Sequence, residues 1–496
     1  MYLNKGHNPG KNAALIEAYF NDSNPLSDAV AETNQLFLAS AADWKPVSSK
    51  KSIFDKLKAL WTKKEEPIKL HQTLVKKGTA YPDWKPVLDR EYGILQKNAA
   101  AVVYVKSGDD LQKALSGGRK TVQLAEGTYI VDELHVPSNT IVKGAGPGKT
   151  ILKLRDTAPK RSFVVTNENH VKGNHHVSIE GITLDWSLER LRPDEKSSSG
   201  NNRSSCLTFA NVTYGWVKEC DAINPGLHCY DVSSTLYDYS GDGHRAPGGS
   251  RFVWIDGCTG SGFGDDGVTT HHSDYIFVSN CFMHDPSGRS HKTGFSNSNG
   301  FEVDDGSRSV WLVHNASARC FGGIEIKAHA TSSAAANVHI IGHLSENDNR
   351  SFNFRHIGHH SASDPESKTA RFLTATRIVS LRPVYTDLYA GSKPRALTVS
   401  AYRHVVINGL RAIGDPGYNY KELPVAGIQY KAKHVHIQDV VMRDFVTAGT
   451  ALKVFGGANK PEDVSIKNAH FANCGKKPLF IAKDVKGASS ENTTTA

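Results

Sequence analysis

The chain has 496 residues, 39% of them hydrophobic, with 59 Lys and Arg against 50 Asp and Glu for a net charge of +9. That composition is globular and excludes a wholly disordered chain. No apolar run reaches the roughly 18 residues of a membrane span, and Met1-Tyr-Leu-Asn-Lys lacks the apolar core of a secretory signal.

Residues 1–98 mix helical signals with an uneven charge. Asn12-Ala-Ala-Leu-Ile-Glu-Ala-Tyr-Phe reads as a short helix, and Ile53, Phe54, Leu57, Leu60 and Trp61 make one apolar helical stripe. Between residues 41 and 77, ten Lys face Asp43, Asp55, Glu65 and Glu66. Most of the net charge therefore lies outside the patterned body, which argues against a nucleic-acid-binding surface. Asp43-Trp-Lys-Pro-Val recurs as Asp83-Trp-Lys-Pro-Val. The two copies read either as docking peptides or as packed loops. Residues 1–98 are expected to form an arm that docks to a particle or partner.

From residue 99 short β-runs recur, each ending in Asn, Gly or Asp beside a small residue. They include Val177-Ser-Ile-Glu-Gly-Ile, Phe252-Val-Trp-Ile-Asp-Gly-Cys and Tyr275-Ile-Phe-Val-Ser-Asn-Cys. Anchored on their last residues, the runs fall at 182, 258, 281, 316, 344, 410, 440 and 469. Intervals of 23, 35, 28, 30 and 29 are single turns of a coil, and those of 76 and 66 fit two turns each. Trp216-Val-Lys-Glu-Cys and Arg377-Ile-Val-Ser-Leu supply the missing members. Such a repeat without helices between is a parallel β-solenoid. The seven Cys show no Cys-x-x-Cys pair, which argues against a disulfide framework and a zinc site. Cys220, Cys258, Cys281 and Ala316 are expected on one interior ladder. The coil is expected over 99–486, followed by a disordered tail at 487–496.

Gly108-Asp-Asp-Leu-Gln-Lys-Ala-Leu, Thr121-Val-Gln-Leu-Ala-Glu-Gly-Thr-Tyr and Val136-Pro-Ser-Asn-Thr-Ile-Val-Lys-Gly-Ala-Gly resemble the entry turns of the pectin-lyase-like superfamily. The resemblance implies an all-β, right-handed single-stranded parallel β-helix whose N-terminal end is capped by a short helix. That fold hosts lyases, hydrolases, epimerases and adhesins, so it does not assign an activity.

A second strand in each central turn carries the chemistry. Gly267-Val-Thr-Thr-His-His-Ser, Gly300-Phe-Glu-Val-Asp-Asp-Gly, Gly323-Ile-Glu-Ile-Lys-Ala-His and Ser351-Phe-Asn-Phe-Arg-His-Ile align in register. Alternation buries Val268, Phe301, Ile324 and Phe352, then Thr270, Val303, Ile326 and Phe354. Two outward ladders follow: His228, Thr269, Glu302, Glu325, Asn353, and Tyr230, His271, Asp304, Lys327, Arg355. Asp265, Asp266, His272, Asp305 and His356 lie beside them. So many acids and imidazoles on one surface point to acid–base chemistry, against a reading as charge ladders that merely neutralise one another. Glycoside hydrolysis needs two carboxyls, one protonated and one ionised. Glu302 with Asp304, or Glu302 with Glu325, offers such a pair. β-Elimination on a uronate polymer would instead use Lys327, Arg355 or His271 as base. Asp265, Asp266, Asp304 and Asp305 would then offer ligands for a calcium ion. A third reading is a glycan-binding coil without catalysis, with Trp254, Trp311, Tyr275 and Phe295 as platforms.

Gly264-Asp265-Asp266 and Glu325-Ile326-Lys327 are similar to two motifs of polygalacturonases. His291, in Gly288-Arg-Ser-His, and Asp242 stand near the places of two others. The resemblance implies Asp266 as acid, Asp265 and Asp242 as water-activating groups and Lys327 as a carboxylate ligand. The coil, acidic surface, absent export signal and separate arm together resemble bacteriophage tailspike depolymerases. That resemblance implies a virion tail appendage made in the host cytoplasm and a bacterial surface polysaccharide as substrate. It also implies a homotrimer and a phage tail or baseplate protein bound through the arm. A spike without catalysis and a bacterial glycan-processing enzyme are the alternatives.

Overall fold

In the computed structural model, the described residues are 3–20, 24–42, 44, 80–199, 203–236 and 241–496. The helical stripe at 53–61, Asp43 and most of the lysine-rich stretch lie outside them.

From Val102 onward the chain winds as a coil of short strands. These form one sheet of 20 strands and one of 12, with parallel ladders throughout. From Gly181 onward each turn of the larger sheet bends at a residue with positive φ. Gly181, Glu219, Gly257, Asn280, His314, Gly342, Arg377, Gly409, Asp439 and Asn468 have φ between 49° and 85° and follow one another in register. The Gly, Asn and Asp seen at the ends of the β-runs are these corners, where residues tolerant of left-handed backbone are favoured.

The residue after each corner points inward. Cys220, Cys258 and Cys281 occupy this ladder, buried and unoxidised. Asn315 and His343, not Ala316 and Leu344, continue it. The one-residue correction has a physical cause: Ala316 and Leu344 face outward, yet are buried beneath N-terminal residues Leu3, Ile16 and Phe20. The interior Asn315 is satisfied by the Cys281 amide at 2.9 Å and the Val278 carbonyl at 3.0 Å.

The N-terminal segment lies along the coil. Helices α1 (Asn12–Glu17), α2 (Leu26–Ser40) and α3 (Lys85–Asn98) pack on the outside of the larger sheet. Asn12 Nδ2 donates to the carbonyls of Cys281 (3.0 Å), which follows one corner, and of His314 (2.9 Å), the corner of the next turn. Arg377, another corner, pairs with Glu17. A second column of positive-φ residues holds bulky rings: Tyr214 stacks on Phe252 at 5.4 Å, and Phe252 on Tyr275 at 4.6 Å. Trp84 seats edge-on against Phe252, Tyr275 and Trp311, and Trp44 against Phe372. Both tryptophans of the repeated motif thus pack on this chain's own coil. α4 (Leu111–Leu115), capped by Asp110 accepting from the Lys113 amide at 2.9 Å, buries Leu111 and Leu115 over the first turns.

Ser489–Thr495, expected to be disordered, is a strand in register with Glu462–Ala472. Asn492 continues the corner column with φ 51°, and its Nδ2 donates to Asn468 Oδ1 at 3.0 Å. All seven of its residues are exposed. Among the described residues no helix is long and apolar enough to cross a membrane.

Trp84→Ala should destabilise the protein by about 3 kcal/mol, the cost typical of removing a packed aromatic. Denaturant unfolding measures this, and an unchanged midpoint would show that α3 adds no stability through this contact.

Candidate active site

The site lies on the outward face of the 12-stranded sheet. Asp231, Thr269, Glu302, Glu325 and Asn353 form one ladder across successive turns. One residue beyond the interior positions Thr270, Val303, Ile326 and Phe354 come His271, Asp304, Lys327 and Arg355, kept in step by bonds such as Lys327 N to Val303 O at 3.0 Å. The expected register holds for four turns and fails by three residues in the fifth. Tyr230 pairs with Val268 and points into the core, where its hydroxyl donates to the carbonyls of Cys220 (3.0 Å) and Thr259 (2.8 Å). Asp231, which sequence reasoning missed, takes the outward place assigned to His228. The alternation Tyr230, Val232 against Val268, Thr270 carried the signal, hidden by the polar tip of Tyr230.

Five acids and three bases converge here. Lys327 Nζ lies 2.8 Å from Glu302 Oε1 and 3.4 Å from Asp304 Oδ2. His271 bridges Asp231 (3.5 Å) and Asp304 (3.7 Å). His228 Nε2 stands 3.6 Å from Asp266 and 3.9 Å from Asp265. Asn299, also unforeseen, donates its side-chain amide to Asp266 (3.0 Å) and Glu302 (2.9 Å), tying the two acids to one anchor. Asp231, Asp266, Glu302 and Asp304 are 3% exposed or less, whereas the Asp265 side chain is 16% and that of His291 50% exposed. Access therefore runs along the Asp265–His291 edge, where the two lie 3.3 Å apart. Both carboxylate oxygens of Asp231, one of Asp265 and one of Asp304 are buried without a hydrogen-bond partner.

Burial, together with the charges of Glu302 and Asp265, pushes the Asp266 carboxyl well above its usual range. Burial acts the same way on Asp265, but His228 and His291 overcome it and hold that carboxyl well below the usual range. Adjacent acids are thus driven apart, one protonated and one ionised. Burial would deprotonate Lys327, yet Asp304, Glu302, Glu325 and Asp266 keep it charged, well above its ordinary value. His271 is likewise opposed by burial and raised by Asp231, Asp304 and Glu302 to about 9.

The other expected residues are engaged by partners of their own. Glu325 is buried and paired with Arg355, with Asn353 donating to it at 3.1 Å. Asp305 accepts from the His329 amide at 2.9 Å and lies 3.0 Å from its ring, while its own carbonyl takes the His272 amide. Asp242 is not a partner of Asp265. It accepts from the Lys368 amide at 2.6 Å and from Thr369, with His359 3.8 Å away and His356 in the same group. Of the four carboxylates expected as calcium ligands, Asp304 lies 3.4 Å from Lys327 Nζ and Asp305 3.0 Å from the His329 ring.

No family model matches the chain. The phage-related protein YobO of Bacillus subtilis (strain 168) is 42% identical over 420 residues, 83% of this chain and 52% of YobO. The pre-neck appendage protein of Bacillus phage phi29 is 38% identical over 385 residues, 77% of this chain and 44% of that protein. An N-terminal fragment of phi29 gene product 12, solved by crystallography, is 34% identical and superposes with a TM-score of 0.73. The match covers 84% of this chain and 69% of the fragment. The chain belongs to the phage pre-neck appendage family. It spans about half the length of the curated relatives it matches. The A-module of mannuronan C-5 epimerase AlgE6 from Azotobacter vinelandii, 12% identical with a TM-score of 0.53 over 78% of this chain and 94% of that module, shares the coil. Pre-neck appendage membership and this shared coil agree with the pectin-lyase-like fold read from the sequence.

Because the folded His271 titrates above its ordinary 6.5, its contribution to stability is complete below that pH and is lost as pH rises through about 9. The urea midpoint should fall between pH 7 and 10, and His271→Gln should flatten that fall. An equally steep fall in the variant would assign it to another group.

Proposed function

We propose that this chain is the glycan-cleaving part of a phage appendage and hydrolyses a bacterial surface polysaccharide. The observation that carries this reading is the opposite displacement of Asp265 and Asp266, whose carboxylate oxygens lie within 4.8 Å of each other beside His228. Asp266 donates its proton to the glycosidic oxygen as the bond to the anomeric carbon breaks. Asp265 takes a proton from the attacking water, whose oxygen completes the new hydroxyl. The two carboxyls stand closer than the roughly 6.5–9.5 Å of a pair straddling the sugar, so both act from one side. Lys327 and His271 carry positive charge beside Asp304 and stabilise the ionised acids around the reacting bond.

The same charges argue against β-elimination. A base must be neutral to accept the proton, yet Lys327 and His271 are held protonated by their acids, and Arg355 is committed to Glu325. The names of the phage relatives place those proteins in a neck appendage, and we extend a virion location, attachment to the phage neck or tail and a trimeric assembly to this chain.

Incubation with a panel of purified bacterial polysaccharides, read for new reducing ends and for unsaturated uronate absorbance, tests the reading. Reducing ends without absorbance are expected. Asp266→Asn, Glu302→Gln and Asp304→Asn should each reduce the rate at least about 100-fold, whereas Asp242→Asn should leave it unchanged. Absorbance rising with the reducing ends would establish a lyase. Silence across the panel would favour a binding spike.

A further inference from the structure

Asp231 is fully buried on the outer ladder, yet no hydroxyl or amide serves its carboxylate. Its ladder neighbours are Thr208 and Thr269. The Thr269 hydroxyl donates to Glu302 at 3.3 Å, and the Thr208 hydroxyl is buried without a hydrogen-bond partner. Among the described residues the ion-pair partners of Asp231 are two imidazoles. Its Oδ1 lies 3.5 Å from Nδ1 of His271, and its Oδ2 lies 4.0 Å from Nδ1 of His228. One buried acid thus divides its two oxygens between two rings, whose centroids stand 6.3 Å apart. A carboxylate taken out of water is costly to leave unpaired, and here the imidazoles supply the compensation.

The far nitrogens of the same two rings reach the reacting acids. His228 Nε2 stands 3.6 Å from Asp266 and 3.9 Å from Asp265, and His271 Nε2 stands 3.7 Å from Asp304. His228 Nδ1 is buried and makes no hydrogen bond elsewhere. The two nitrogens of an imidazole are interchangeable until a partner claims one of them, and that partner decides which nitrogen faces the site. A carboxylate at Nδ1 draws a proton there and leaves Nε2 aimed at its target, the arrangement of acid–imidazole pairs in hydrolytic enzymes.

We propose that Asp231 is a positioning residue shared by two histidines: it holds Nδ1 of His228 and of His271 so that each presents Nε2 to the acids. This role deepens the hydrolase reading and rests on it, because His228 helps keep Asp265 ionised as the water-activating group. It also joins the two halves of the site, the Asp265–Asp266 pair and the Glu302–Asp304–Lys327 group, through one buried carboxylate. Burial opposes charge on His271. Of the acids that face it, Asp231, Asp304, Glu302 and Asp305, Asp231 does most to overcome that opposition.

Hydrogen exchange at the histidine C2 position of the full chain, read by mass spectrometry, follows each imidazole's titration without any substrate. His271 should titrate at about 9 in the unmutated chain and about one to three pH units lower in Asp231→Asn. Asp231→Ser should show the same shift, so the result does not depend on how one variant folds. Asp231→Glu, which keeps the charge, should restore most of the difference. On a polysaccharide of the panel that is cleaved, Asp231→Asn should lower kcat at least about tenfold with KM unchanged. A His271 midpoint that stays put in both uncharged variants, or a loss confined to KM, would overturn the role. The expected shift in a chain whose unmutated form cleaves nothing would remove the hydrolase reading and leave Asp231 as the holder of both rings.

Discussion

From Gly181 to Asn492 each turn of the larger sheet bends at a residue with left-handed backbone, and these residues stand in register. A bend of this kind costs an ordinary residue about 1–2 kcal/mol. Where the corner is Gly, Asn or Asp it is small. Where it is His314 or Arg377, the N-terminal segment compensates: Asn12 bonds the His314 carbonyl and Glu17 pairs with Arg377. The corner determines which residue next enters the core. It therefore determines the phase of the strands that follow, including those that carry Glu302, Asp304 and Lys327 on the outer face.

The fold was legible because its repeat is short and its corners are chemically marked. The inward positions 182, 258, 281, 410, 440 and 469 could be read directly from the runs. Two were misread by one residue, and the reason lies outside the coil. Alternation separates inside from outside only where the outside meets water, and at Ala316 and Leu344 it meets Ile16 and Phe20. The polar Asn315 and His343 then looked like surface. The strand Ser489–Thr495 was obscured because its residues are Ser, Glu, Asn and Thr, with no apolar alternation to mark it.

The site was legible in outline. Glu302, Asp304 and Lys327 recur on neighbouring strands at one phase, and Asp265 and Asp266 sit beside them. Contributions that arrive by another route were hidden. Asp231 was lost to a three-residue slip around a tyrosine that buries its ring and satisfies its hydroxyl. Asn299 lies at the start of a strand, outside the alternation that defines the ladders. Asp242 has the right residue type and approximate order, but its loop carries it to His356 and His359 instead. Such loops run across turns of the coil, and nothing in a local pattern reports where they land.

The way the N-terminal segment lies across the corners has a consequence for how the protein is made. Residue 12 bonds carbonyls of residues 281 and 314, and residue 377 holds residue 17. A nascent chain emerging from the ribosome exposes Ile16, Phe20 and Trp84 long before their seats exist. The coil must wind from its capped start at α4 through most of its turns before those side chains are covered. Residues 3–20 are thus made long before they settle. Until then the outward Ala316 and Leu344 stay open to solvent, which makes the half-wound coil the form most exposed to aggregation.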